Sequence, residues 1–273
     1  MLRHILVAIA LVFACAGTPR AEISHQLWDE LLQRHVRVLD GGRATQLDYR
    51  GMAADRPQLV RYLQGLEKVD RKEFDTWPRD RQLAFLINAY NAWTVQLILG
   101  RYPDLESIKD LGSLFRSPWK QVFIPLLGEQ RSLDDIEHGL IRGSGRYNEP
   151  RIHFAVNCAS IGCPALLGRA YGEEQLDRQL EEATRLFLAD RSRNRLSGKT
   201  LEVSSIFTWY REDFERGWRG AKTLGEFLAL YSDSLGLDGK TALALRSGGI
   251  DIDFLEYDWR LNDVREGKAA GGQ

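Results

Sequence analysis

The chain has 273 residues, a formal net charge of −1 and 44% hydrophobic residues. Near-neutrality excludes capture of nucleic acid or an anionic membrane surface by long-range attraction. Three cysteines in so long a chain exclude a disulfide scaffold, so a packed core must hold the fold.

Residues 1–21 read as a cleaved export signal. Arg3 and His4 give a basic start, Ile5 to Phe13 is apolar, and Ala14-Cys15-Ala16 is a small-residue cleavage pattern. The apolar run is too short for a stable membrane span. A lipoprotein acylated at Cys15 is the alternative, against which the bulk of Phe13 counts. Residues 22–263 are then one globular domain, periplasmic or extracellular, and 264–273 a disordered tail. In that compartment paired cysteines tend to oxidise.

Ile23, Leu27, Leu31 and Leu32 recur at helical spacing behind Ser24, and Pro57 opens a second helix burying Leu59, Tyr62, Leu63 and Leu66. The segment from Gln82 to Leu99 is apolar around nearly its whole circumference, which predicts a central helix surrounded by protein. Its Asn88, Asn91 and Thr94 must find buried partners, by bracing loops against the helix or by orienting a catalytic group. Trp119 to Ile124 is a candidate strand. Ser132-Leu133-Asp134-Asp135 is a capping-box pattern that starts a helix reaching about Arg142. On its buried face lies Glu137, with His138 at the border. A buried carboxyl requires a cationic or hydrogen-bonding partner.

Arg151 to Val156 alternates in polarity and predicts a short strand, with His153 opposite Ile152, Phe154 and Val156. It ends at Asn157-Cys158, and Cys163-Pro164 follows. A helix over Glu174 to Leu188, a strand at Leu201 to Val203, an aromatic run Ile206 to Tyr210, two short helices and a last strand at Ile250 to Phe254 complete the chain. Helices come early and strands are few. The fold class is α+β: helix-rich, with a small, mostly antiparallel sheet.

Taken together, Asn88-Ala89-Tyr90-Asn91-Ala92, Leu133 to His138, Arg151 to Ser160, Cys163-Pro164 and Ile206 to Phe214 make the chain similar to one family. The family it resembles is called domain of unknown function 547, with landmarks spread over Asp48 to Asn262. Ile161-Gly162 departs from the more polar pair expected before Cys163. The resemblance implies no agreed activity.

The chemistry must therefore come from the residues. Cys158, between a strand end and a turn, is a candidate nucleophile for a hydrolase or acyl transferase acting on an amide or thioester. His138 is the preferred base and His153 the alternate. Glu137 or Asp258 would orient the imidazole, and Asn157 would donate to an oxyanion. A histidine ahead of the cysteine is also the order of circularly permuted papain-like enzymes, an analogy at the level of fold. Against this stands a Cys158–Cys163 disulfide, compatible with export and with the four-residue gap. In that second reading the protein is a non-catalytic binding or assembly module, with Trp209, Tyr210, Trp218, Tyr257 and Trp259 lining a groove or simply packing the core. No C-x-x-C or H-x-x-x-H spacing supports a metal, and no glycine-rich loop supports a nucleotide cofactor. The expected partner is a small molecule or peptide; oligomeric state leaves no mark in the sequence.

Overall fold

The structure, a computed structural model, describes residues 23–113 and 116–264. The export signal with Cys15 and residues 265–273 of the expected tail lie outside the described residues. Val264 is described, and its N–H donates to the carbonyl of Leu47 at 3.2 Å.

Helix α1 (Gln26–His35) leads into a hairpin of β1 (Val36–Leu39) and β2 (Ala44–Leu47). Gly41 and Gly42 lie at φ +63° and +93° in its turn, where a side chain would be strained. Four helices follow: α2 (Tyr49–Ala54), α3 (Arg56–Glu67), α4 (Arg71–Asp75) and α5 (Arg79–Leu99). The last is the central helix expected from its continuous hydrophobicity, and every residue from Gln82 to Val95 is buried. Its large apolar side chains each contribute about 1.5–3 kcal/mol by leaving water.

The polar residues of α5 brace loops. Asn88 donates to the carbonyl of Tyr171 at 2.8 Å and accepts from its N–H at 2.9 Å. Asn91 donates to the carbonyl of Ala155 at 2.9 Å and accepts from the N–H of Asn157 at 2.8 Å. Thr94 bonds back to the carbonyl of Tyr90. Asn88 fixes one residue of a distant loop through both ends of its amide, and Asn91 bridges two, Ala155 and Asn157. Asn91 thereby holds the chain just ahead of Cys158.

A second hairpin, β3 (Ile124–Leu126) with β4 (Glu129–Arg131), precedes a wide-turned π-helix over Asp135–Arg142. The strand expected over Trp119 to Ile124 is instead a 3-10 turn at Pro118–Lys120 followed by β3, because Pro118 favours the start of a helical turn. The Ser132 hydroxyl accepts from the Asp135 N–H, and the Asp135 carboxylate accepts from the Ser132 N–H. This reciprocal cap is the one read from the sequence.

The strand expected over Arg151 to Val156 does not form. Pro150–Phe154 is a 3-10 helix with every side chain buried. Proline starts the turn, and the Glu149 carboxylate caps it by accepting from the Arg151 N–H. Buried Arg151 is held by Glu149, Asp177 and Glu181, so a cation replaces the outward face that alternation implied. Both faces are buried, so alternation of polarity no longer reports a strand.

The remainder packs around α6 (Leu176–Ala189). It comprises β5 (Arg195–Ser197), β6 (Thr200–Ser204), α7 (Ile206–Trp209), α8 (Arg211–Phe214), α9 (Leu224–Ala229), α10 (Ser232–Leu235), α11 (Gly239–Arg246) and β7 (Asp251–Leu255). β5 pairs antiparallel and β7 parallel with β6. The architecture is a helix-rich α+β fold with small sheets, as expected. Phe154, Phe187, Phe207, Phe214 and Phe227 form an aromatic core under this part. Among the described residues no helix is long and apolar enough to cross a membrane.

Candidate functional site

The segment 158–163 lies against the last stretch of chain. The N–H of Ile161 donates to the carbonyl of Arg260 and that of Gly162 to the carbonyl of Asp258, both at 2.8 Å. The N–H of Asn262 donates to the carbonyl of Ala159. This pairing lays Tyr257 over the cysteines. A Cβ at Gly162 would come within 2.8 Å of the Tyr257 ring, so glycine is what allows the approach. The Gly162 half of the departure from a more polar pair is therefore a packing requirement.

Cys158 and Cys163 are joined in a disulfide. Tyr257 Oη lies 3.1 Å from Cys158 Sγ and 3.2 Å from Cys163 Sγ. Ser160 Oγ lies 3.1 Å from Cys158 Sγ, and the Cys158 N–H donates to Cys163 Sγ at 2.8 Å. Cys163 is buried, whereas Cys158 is half-buried. Burial pushes the Tyr257 phenol well above its ordinary range, so it remains a neutral donor.

Both cysteines line a cavity of about 190 Å³, the space in which Glu137, His138 and His153 also meet. Its upper wall is aromatic. Trp209 stacks on Trp259 with centroids 5.6 Å apart, and Tyr257 sits 4.5 Å from Trp259 and 4.8 Å from Trp209. Trp218, grouped with these in the sequence, is instead a core residue packed on Phe227 and Arg151.

His153 forms the floor. Its ring stacks on Tyr210 with centroids 3.9 Å apart, and Nε2 is 2.8 Å from Asp213 Oδ2. A carboxylate only accepts, so Nε2 carries the proton and Nδ1 presents a lone pair. Nδ1 lies 3.9 Å from Glu137 Oε1, and neither atom has a hydrogen-bond partner although both are buried. Burial lowers the pKa of His153, opposed by Asp213 and Glu137. At neutral pH it is thus a neutral imidazole with its tautomer fixed, the state a general base requires.

Asp213 comes from α8. Burial raises its pKa, but the hydrogen bonds from His153 and Arg142 outweigh it and hold the carboxyl well below the usual range. Arg142 Nε donates to Asp213 at 2.5 Å, and Arg216 pairs with its other oxygen at 3.1 Å. Tyr90 and Tyr210 lie close to Glu137, and burial together with this carboxyl holds both phenols in the neutral form.

The other expected residues sit differently. His138 is at the cavity mouth with its side chain 43% exposed, and Arg142 Nη1 donates to its Nδ1 at 2.6 Å. Neither His138 nor His153 is among the hydrogen-bond partners of Cys158 Sγ, which are Ser160 and Tyr257. Asn157 is occupied by the loop itself: its amide donates to the carbonyl of Pro164 at 2.8 Å and accepts from the N–H of Ala159 at 2.9 Å. It braces Ala159 in the left-handed region at φ +61°, with one of its two amide hydrogens committed to Pro164. Asp258 is paired with Arg260 and orients no imidazole. Sequence reasoning missed Asp213, Tyr90, Trp119 and Ser160 as cavity or site residues. Asp213, Tyr90 and Ser160 carried a signal, since each lies in one of the motifs that mark the resemblance, whereas Trp119 lies in none. Among the described residues no group of three or more His, Cys, Asp and Glu is placed to hold a metal ion.

Folding stability should fall as pH drops below 6.5, the ordinary histidine value. The sign follows from the lowered pKa of His153, because there the unfolded chain binds a proton that the folded chain refuses. His25, buried against Tyr62 and near Arg81, has a pKa lowered to about 4 and acts in the same direction. Each histidine adds at most about 1.4 kcal/mol per pH unit to the slope. Urea denaturation at several pH values should show a shallower slope for His153→Gln; an unchanged slope would contradict a neutral buried His153.

The fold and cavity define a helix-rich α+β protein with a disulfide in the wall of an aromatic pocket, above a carboxylate-held histidine. Residues 74–188, from α4 to the end of α6, match the family model described as protein of unknown function, DUF547. That stretch includes Glu137, His138, His153 and both cysteines, whereas Trp209, Tyr210 and Asp213 lie beyond it. No curated protein and no solved structure matches the chain.

Proposed function

We propose that this protein is an exported hydrolase or acyl transferase for a thioester or amide, with Cys158 as nucleophile and His153, held by Asp213, as base. The observation that carries the reading is His153, whose Nδ1 has no hydrogen-bond partner and which lines the cavity that Cys158 also lines. The disulfide is the resting state, and a dithiol reductant opens it to two thiols. Cys158 then passes its proton to His153 Nδ1, directly or through one water, and its sulfur attacks the carbonyl carbon. The leaving thiolate or amine takes up that proton, and water or a second nucleophile releases the acyl group. The assignment moves the base from His138 to His153, because His138 is tied to Arg142 at the mouth.

S-phenyl thioacetate is a suitable acyl donor for the test. Reduced native protein should acquire one acetyl group on Cys158 faster than the reduced, urea-unfolded chain, and oxidised protein should acquire none. Acylation no faster in the folded state would overturn the reading. A non-catalytic binding module is the second reading, favoured by the occupied Cys158 sulfur and by Trp209, 45% exposed at the rim. It predicts that Cys158→Ala leaves ligand binding intact and that no acyl adduct forms.

A further inference from the structure

We infer that the cavity is a receptor for a primary amine, bound as its ammonium ion between Glu137 Oε1 and His153 Nδ1 beneath an aromatic wall. The inference names a ligand class for the proposed acyl-transfer site, although the binding does not require that chemistry to occur. Three observations carry it.

The first is the pair of unpartnered atoms. Glu137 and His153 are 3% and 2% exposed, and a buried acceptor without a donor is costly. With Nε2–H committed to Asp213, both facing atoms are acceptors, 3.9 Å apart. One nitrogen carrying at least two hydrogens, admitted by a small shift of these side chains, reaches both at ordinary hydrogen-bond length. A carboxylate or ether supplies no hydrogen, and a hydroxyl supplies only one.

The second is charge. Among the described residues lining the cavity, Asp134 and Glu137 are carboxyl groups, and none is Lys or Arg. The nearby cations lie outside the lining and already have partners, among them Asp134 and His138 at its border. Arg142 sits under the Tyr210 ring and is bound to Asp213 and His138, and Lys109 rests on Trp259 at 3.8 Å. Lys120 acts on Asp134. Tyr90 and Tyr210 beside Glu137 are held neutral and bring no positive charge to it.

The third is the wall. Trp209, Trp259 and Tyr257 present ring faces and edges that favour a cation and cover an alkyl chain. A space of about 190 Å³ takes a short aliphatic amine.

Quenching of tryptophan fluorescence in the oxidised full chain provides the readout, because Trp209 and Trp259 border the site. The probes are n-butylammonium, butan-1-ol, butyrate and tetramethylammonium at neutral pH. Butylammonium should bind at least tenfold more tightly than each of the others. Equal binding of butan-1-ol, or tighter binding of butyrate, would overturn the proposal. Equal binding of tetramethylammonium, which has no N–H, would reject the two-acceptor arrangement. In folded Glu137→Gln the preference for butylammonium over butan-1-ol should fall to threefold or less, and a preserved tenfold preference counts against it. Since the oxidised protein has no free Cys158 thiol, these outcomes stand apart from the acylation test.

Discussion

Replacing His153 with glutamine should slow acylation of reduced Cys158 by roughly a hundred- to ten-thousandfold, the range over which a positioned general base acts. Replacing His138 with glutamine should change it by less than about threefold, since a base-free contribution is all that position offers under this mechanism. The contrast follows from the partners of the two rings. His153 is fully buried, its tautomer is set by Asp213, its Nδ1 has no hydrogen-bond partner, and it lines the cavity. His138 is half-exposed, and its Nδ1 is taken by Arg142. Rates are read by intact-mass spectrometry of the acetylated chain. A larger loss with His138→Gln than with His153→Gln would restore His138 as the base.

Replacing Asp213 with alanine should destabilise the fold by about 3–5 kcal/mol, the cost of breaking a buried ion pair and leaving its partner charge uncompensated. Arg142 would lose the acceptor of its Nε, His153 the acceptor of its Nε2, and Arg216 a 3.1 Å partner. Urea unfolding near neutral pH measures the loss as a shift in midpoint. The pH dependence has a definite sign. The folded pKa of Asp213 is depressed, so its contribution is present above the ordinary aspartate value of 3.8 and fades as pH falls toward the folded value. The gap between wild type and variant should therefore narrow in acid. A midpoint shift worth less than about 1 kcal/mol would assign Asp213 to an ordinary surface pair.

Local patterns reported their own elements well. The continuous hydrophobicity of α5 gave a buried central helix, and the spacing of Ser132 and Asp135 gave a cap that forms as read. The nearness of Cys158 and Cys163 gave the option of a bond that the structure contains. Alternation over Arg151 to Val156 misled, because it assumes one face meets water. Arg151 and His153 are instead buried against partners from α6 and α8, and two carboxylates of α6, with Glu149, offset the burial of one cation.

The helix-rich class, the closeness of the two cysteines and the burial of Glu137 beside His138 are properties of short windows, and the sequence by itself determined them. Which histidine faces the cavity with a free nitrogen is not such a property. It depends on Asp213, sixty residues beyond His153, and on Tyr257, ninety-nine beyond Cys158, arriving at the same place. Those distances in sequence are closed only when α8 packs under the 3-10 turn and the last stretch of chain pairs with residues 159–162. Hydrogen bonds and burial then select one tautomer and one wall of the cavity, and only the tertiary structure decides that selection.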